Sequence, residues 1–174
     1  MLRALETTIC LMTFLVLVVF VAPGQAAHDQ FVCDLRVNTV GPKPSSTNAR
    51  GNVIFLLDDV KKELSYKIQV EDIQDVYMAH IHMGPAGKEG IIATWLYPAD
   101  DHNSKNRTIE GKLSGTLAEG IIKQEDLEHG ITFTEFIESL KNGNAYVNVH
   151  TKKFFMGSIR GQVYSKEFVA SQME

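Results

Sequence analysis

The sequence predicts an all-β domain, an antiparallel sandwich or barrel of about eight strands with one short helix, about residues 132–142, before a closing hairpin. Three observations carry that expectation. Apolar and polar residues alternate with a period of two along most of the chain. Clusters of Gly, Pro, Asn, Asp and Ser punctuate the alternation. Only one segment, Phe133 to Leu140, switches to helical spacing.

The first segment is not part of that domain. Arg3 precedes an apolar run from Ile9 to Ala22, which suits a signal-peptide core and is short for a membrane span. Pro23 and Gly24 break the helix, and Gly24 and Ala26 occupy the small-residue subsites of a signal peptidase. The expected division is a signal peptide over 1–26, with Ala27 as the second choice of cleavage site, and a single domain over 27–174. Retention of the segment as an uncleaved anchor is the alternative. The mature protein is then secreted or extracytoplasmic, in periplasm or medium, and not transmembrane. A net charge of -4 argues against nucleic acid as a partner.

Strands are expected at Phe31 to Val37, Ala49 to Leu57, Glu63 to Val70, Val76 to Met83, Ile91 to Leu96, Thr108 to Leu117, Asn144 to Thr151 and Met156 to Tyr164. In the first, Phe31, Cys33, Leu35 and Val37 share a face, which places Cys33 in the core; pairing between chains or metal binding by its thiolate is the alternative. Gly41 to Ser46, Asp58-Asp59, Gly84 to Gly87 and Asp100 to Asn106 are turns and loops. Asn106-Arg107-Thr108 is a glycosylation sequon, with Asn106 as acceptor. A short acidic turn, Gln124 to Glu128, leads into the helix. There Phe133, Phe136, Ile137 and Leu140 form the apolar face, Thr132 and Glu135 a capping box, Ile131 a staple onto Phe136, and Asn142-Gly143 the stop. Trp95 is expected in the core.

Two stretches carry a family likeness. Ala79-His80-Ile81-His82-Met83-Gly84-Pro85-Ala86-Gly87 with Ile91-Ile92 resembles the first signature of the CHRD (chordin) domain family. Gly143 to Thr151, then Gly157 and Ile159-Arg160-Gly161-Gln162, resembles its closing hairpin. The resemblance implies an immunoglobulin-like antiparallel β fold and a free-standing secreted module, with no established reaction to carry over. Ser158 departs from the family, which commonly has a glutamate there, and Phe154-Phe155-Met156 replaces a more polar loop.

Strand parity gathers polar residues independently of that likeness. Ala145, Val147, Val149, Ile159 and Val163 form an apolar face, and a five-residue loop, Lys152 to Met156, sets His150 opposite Ser158, Asn148 opposite Arg160 and Tyr146 opposite Gln162. On the earlier strand Tyr77, Ala79, Ile81 and Met83 are the apolar set, so His80 and His82 face the other way. Two readings of His80, His82 and His150 stand side by side. They form a copper or zinc site, or they are hydrogen-bonded histidines that fix loops. Arg160 is read as a structural partner of Asn148 and Tyr146. No nucleophile motif or His-Glu-x-x-His is present in the sequence, so no catalytic activity is expected. Lys152, Lys153, Phe154 and Phe155 at the hairpin tip combine cations with apolar rings, which suits contact with an extracellular or envelope protein or surface; folding back of one ring onto the core is the alternative.

Overall fold

The computed structural model describes residues 29–41, 44–98 and 107–172. The signal segment, the glycosylation site at Asn106 and the loop from Asp100 to Asn106 lie outside the described residues. Among the described residues there are seven strands: β1 (Gln30–Val37), β2 (Arg50–Asp58), β3 (Glu63–Met83), β4 (Ile91–Tyr97), β5 (Ile109–Ile122), β6 (Ala145–Thr151) and β7 (Ile159–Ser165). A 3-10 turn at Gln124–Asp126 precedes helix α1 (Phe133–Lys141), and a short helix α2 (Lys166–Ser171), which the sequence pattern did not announce, follows β7.

The strands close into a barrel. The order β2-β1-β7-β6-β3 returns on itself because β3 pairs with β2 from Glu63 to Glu71 and with β6 from Val76 to Met83. β4 and β5 add to β3 outside this ring. Alternate residues point inward, as the period requires: Phe31, Cys33 and Leu35, Val53, Phe55 and Leu57, Ala145, Val147 and Val149, and Ile159 and Val163 are all buried. Cys33 is one of them, packed as a small core hydrophobe, and burial pushes its thiol up to about 12.

The expected pair Glu63–Val70 and Val76–Met83 is one bent strand, which reduces the count from eight to seven. Along β3 the buried residues Val70, Ile73, Val76 and Ala79 recur every third position, so an extra residue enters each step. Asp72 and Asp75 absorb two of these in the left-handed region, at φ 55° and 54°, which aspartate tolerates better than most side chains. β5 clasps both: Lys112 pairs with Asp72 at 2.9 Å, and the Gly111 amide donates to Asp75 Oδ1 at 2.7 Å. The third extra residue falls between Val76 and Met78, where the register with β6 shifts. It rotates Tyr77 out of the apolar set, and its hydroxyl donates to the Phe155 carbonyl on the histidine side.

Helix α1 closes the barrel with the face its spacing dictates. Phe133, Phe136, Ile137 and Leu140 join the core, Phe136 and Leu140 with no exposed surface. The capping box forms as written, with Thr132 Oγ1 accepting from the Glu135 amide and Glu135 Oε2 accepting from the Thr132 amide. Gly143, at φ 64°, takes the left-handed position that ends the helix. Gln124 ties the preceding turn to the helix, accepting from the Phe133 amide and donating to the Ile131 carbonyl. Among the described residues no helix is long and apolar enough to cross a membrane.

Candidate metal centre

The outward face of β3, β6 and β7 carries the polar signature residues in two cross-strand rows. His80, Asn148 and Arg160 form one, and His82, Tyr146 and Gln162 the other. This is the parity expected from the sequence for Asn148–Arg160 and Tyr146–Gln162. The ladder ends at Val149–Ile159, so His150 and Ser158 do not extend it. Ser158 contributes its backbone instead: its amide donates to the Val149 carbonyl, and its own carbonyl accepts from the Asn38 amide and Ser45 Oγ.

Three histidines converge on this face. One ring nitrogen each of His80, His82 and His150 lies within 4.8 Å of the others. His80 is the middle ring, 5.6 Å from His82 and 5.1 Å from His150 between centroids. The indole of Trp95 stands perpendicular to His80 at 4.2 Å, which is why Trp95 is half-buried against the site rather than in the barrel core.

Backbone carbonyls orient two of the rings. His82 Nδ1 lies 3.0 Å from the Gly90 carbonyl, and His150 Nδ1 lies 2.8 Å from the Phe155 carbonyl. A carbonyl only accepts, so each Nδ1 carries the proton and each Nε2 keeps its lone pair. Both Nε2 atoms are buried and make no hydrogen bond within the structure. Burial is the main cause that lowers the proton affinity of both rings, and it pushes His150 down to about 4, so both are neutral at pH 7.

Neighbouring segments lock this arrangement. The Tyr146 ring stacks on His82 at 4.7 Å and 6°, while the Arg160 guanidinium lies 3.2 Å from the centre of the same ring. Arg160 Nη2 donates to the Lys88 carbonyl, and Gln162 Nε2 donates to the Gly84 and Gly143 carbonyls. The loop of the first signature is therefore strapped down by the second. Gly90 is the junction, with its amide donating to the Tyr146 hydroxyl and its carbonyl held by His82. A Cβ there would stand 1.9 Å from the Met83 carbonyl oxygen, so only glycine admits this approach.

The hairpin tip is held from the same face. Tyr77 shares the Phe155 carbonyl with His150, and Asn148 Nδ2 and Asn38 Nδ2 both donate to the Met156 carbonyl. Lys152 pairs with Glu110, Lys153 lies over the Phe154 ring at 5.2 Å, and Phe154 is half-buried. Phe155 is 58 % exposed. Sequence reasoning did not include Asn38, Tyr77, Gly90 or Trp95 in the site. Asn38 lies more than a hundred residues from its partner, and no local pattern encodes such a contact.

Stability of the metal-free protein should depend on His150 in acid. Its folded proton affinity is depressed, so its contribution is complete above the unfolded value near 6.5 and is lost as pH falls towards about 4. The expected loss from His150 alone is about 3 kcal/mol. Urea unfolding in chelator at pH 7.5 and 4.5 measures it, and a His150→Gln variant should show a flatter profile.

The model of the CHRD domain matches residues 31–163, the span that holds all seven strands' core residues and every histidine of the cluster. No curated protein and no solved structure matches the chain. The match extends over most of the sequence and includes both signatures, so the chain belongs to the CHRD domain family.

Proposed function

We propose that this protein is an extracytoplasmic, non-catalytic CHRD module that binds one copper or zinc ion through His80, His82 and His150. The observation that carries the reading is the pair of buried Nε2 lone pairs on His82 and His150, each on a ring whose Nδ1 is committed to a backbone carbonyl. Metal-bound histidines are oriented in this way. Hydrogen bonding that fixes loops accounts for the Nδ1 atoms and leaves the Nε2 atoms unexplained, at a cost of about 1–3 kcal/mol for each buried acceptor left unmade.

The dimensions suit the reading. Three donors no more than 4.8 Å apart have a common centre at most about 2.8 Å from each, close to the about 2.0–2.1 Å of imidazole–metal bonds. His82 and His150 are already neutral at pH 7, so binding releases little or no proton from these two rings. Export is supported by the apolar run from Ile9 to Ala22 and the small residues at Gly24 and Ala26. Calorimetric titration of the chelator-stripped protein with zinc, and competition titration with copper, should each give one site per chain. Stoichiometry well below one for both metals at micromolar concentrations overturns the proposal.

The hairpin tip supports a second, compatible reading. Phe155 and Met156 are exposed beside Lys152 and Lys153, an apolar and cationic combination suited to an envelope surface or partner protein. Phe155→Ser should weaken co-sedimentation with anionic liposomes while leaving the melting temperature in place. A fall in melting temperature with unchanged sedimentation would identify the ring as structural.

A further inference from the structure

A pocket borders the histidine cluster. His82 and His150 form one wall of a pocket of about 170 Å³, and Arg160, Glu89, Asn148, Phe155 and Met156 form much of the remainder. That space is larger than one water and small on the scale of organic ligands. A metal held by three imidazoles retains a coordination position for an exogenous ligand, and here the three donors come from one sheet face.

Charge at the pocket is set by two groups. Arg160 brings a guanidinium held by stacking on Tyr146 and by its bond to Lys88, and donors remain among its five N–H groups. Glu89 is the acidic lining residue. Its carboxylate lies towards Gly41, where an added Cβ would sit 3.3 Å from Oε1, and it makes no ion pair with Arg160 among the described residues. The guanidinium is thus fixed beside the pocket without a carboxylate in contact with it.

Resting on the three-histidine metal reading, we infer that the metal's open position faces this pocket and takes a small inorganic anion, with Arg160 as the residue that attracts and orients it. Ligand exchange at the metal needs no movement of His82 or His150, whose Nδ1 atoms stay on their carbonyls. Neutralising Arg160 weakens the anion, whereas neutralising Glu89 strengthens it, because the two charges act on the same ligand with opposite sign. A purely structural Arg160 produces no such opposition.

Azide is a suitable probe, added to the copper(II)-loaded full chain and followed by its ligand-to-metal charge-transfer band and by electron paramagnetic resonance. Saturable binding is expected, about tenfold weaker in Arg160→Gln and several-fold tighter in Glu89→Gln when normalised to bound copper. Glu89→Gln serves where loss of the Lys88 contact impairs folding of Arg160→Gln. Failure of the protein to bind copper or zinc overturns the metal reading and this inference together. One bound copper whose spectra do not change with azide up to about 0.1 M, or equal azide affinity in all three proteins, overturns the inference and leaves the metal reading standing.

Discussion

Phe136→Ala is expected to destabilise the domain by about 3–5 kcal/mol, the cost of truncating a fully buried aromatic whose surroundings cannot collapse around the gap. Phe136 has no exposed surface, and it is the middle of the helical face through which α1 joins the barrel core. The gap would open between a helix and a closed sheet. Neither can move far, because Gln124 fixes the start of the helix and Gly143 leads directly into β6. Thr132→Ala removes the cap of the same helix and is expected to cost only about 1 kcal/mol. Denaturant unfolding of both variants checks the contrast. Equal, small losses would show that α1 contributes little to the core.

The second large effect concerns the metal proposed for the three histidines. His82→Ala and His150→Ala should each lower affinity by more than about 100-fold, since even the outer partners of metal ligands cost 10–100-fold when removed. Each variant deletes one of three donors and leaves the others with no protein group positioned to replace it among the residues gathered at the site. His129 supplies a control, because it lies outside the cluster in an exposed left-handed turn, where asparagine is tolerated. His129→Asn should bind metal as the wild type does. Competition against a chromophoric chelator measures all three. If the site variants bind as tightly as the control, the metal lies elsewhere.

Much of the architecture was written locally. Strict alternation placed Phe31, Cys33 and Leu35, and Val147 and Val149, in the barrel, because a period of two leaves one face for the core. The capping box and apolar spacing of α1 were equally direct. Alternation fails where extra residues enter a strand. Asp72 and Asp75 read as a break between two strands, yet their left-handed conformations let β3 bend without losing its pairing to β5. The bulge after Val76 moved Tyr77 across the sheet for the same reason.

The histidine face was legible for a different cause. His80, His82, Tyr146, Asn148 and Arg160 have the parity opposite to their apolar neighbours, so any pairing that buries those neighbours collects them outside. What surrounds them was not legible. The Gly90 carbonyl that orients His82 and the Trp95 ring beside His80 depend on β4 pairing back along β3, and the Asn38 side chain on the hairpin tip depends on β1 lying where closure of the sheet puts it. Those contacts follow from strand pairing rather than from side-chain parity.

X-ray absorption at the metal edge of the copper- or zinc-loaded full chain tests the central claim most directly, because it counts the imidazoles. A first shell with three nitrogen donors at about 2.0–2.1 Å, together with the outer-shell scattering of three rings, is expected. A shell of oxygen donors, or one with fewer than three imidazoles, would place the metal away from His80, His82 and His150 and contradict the account.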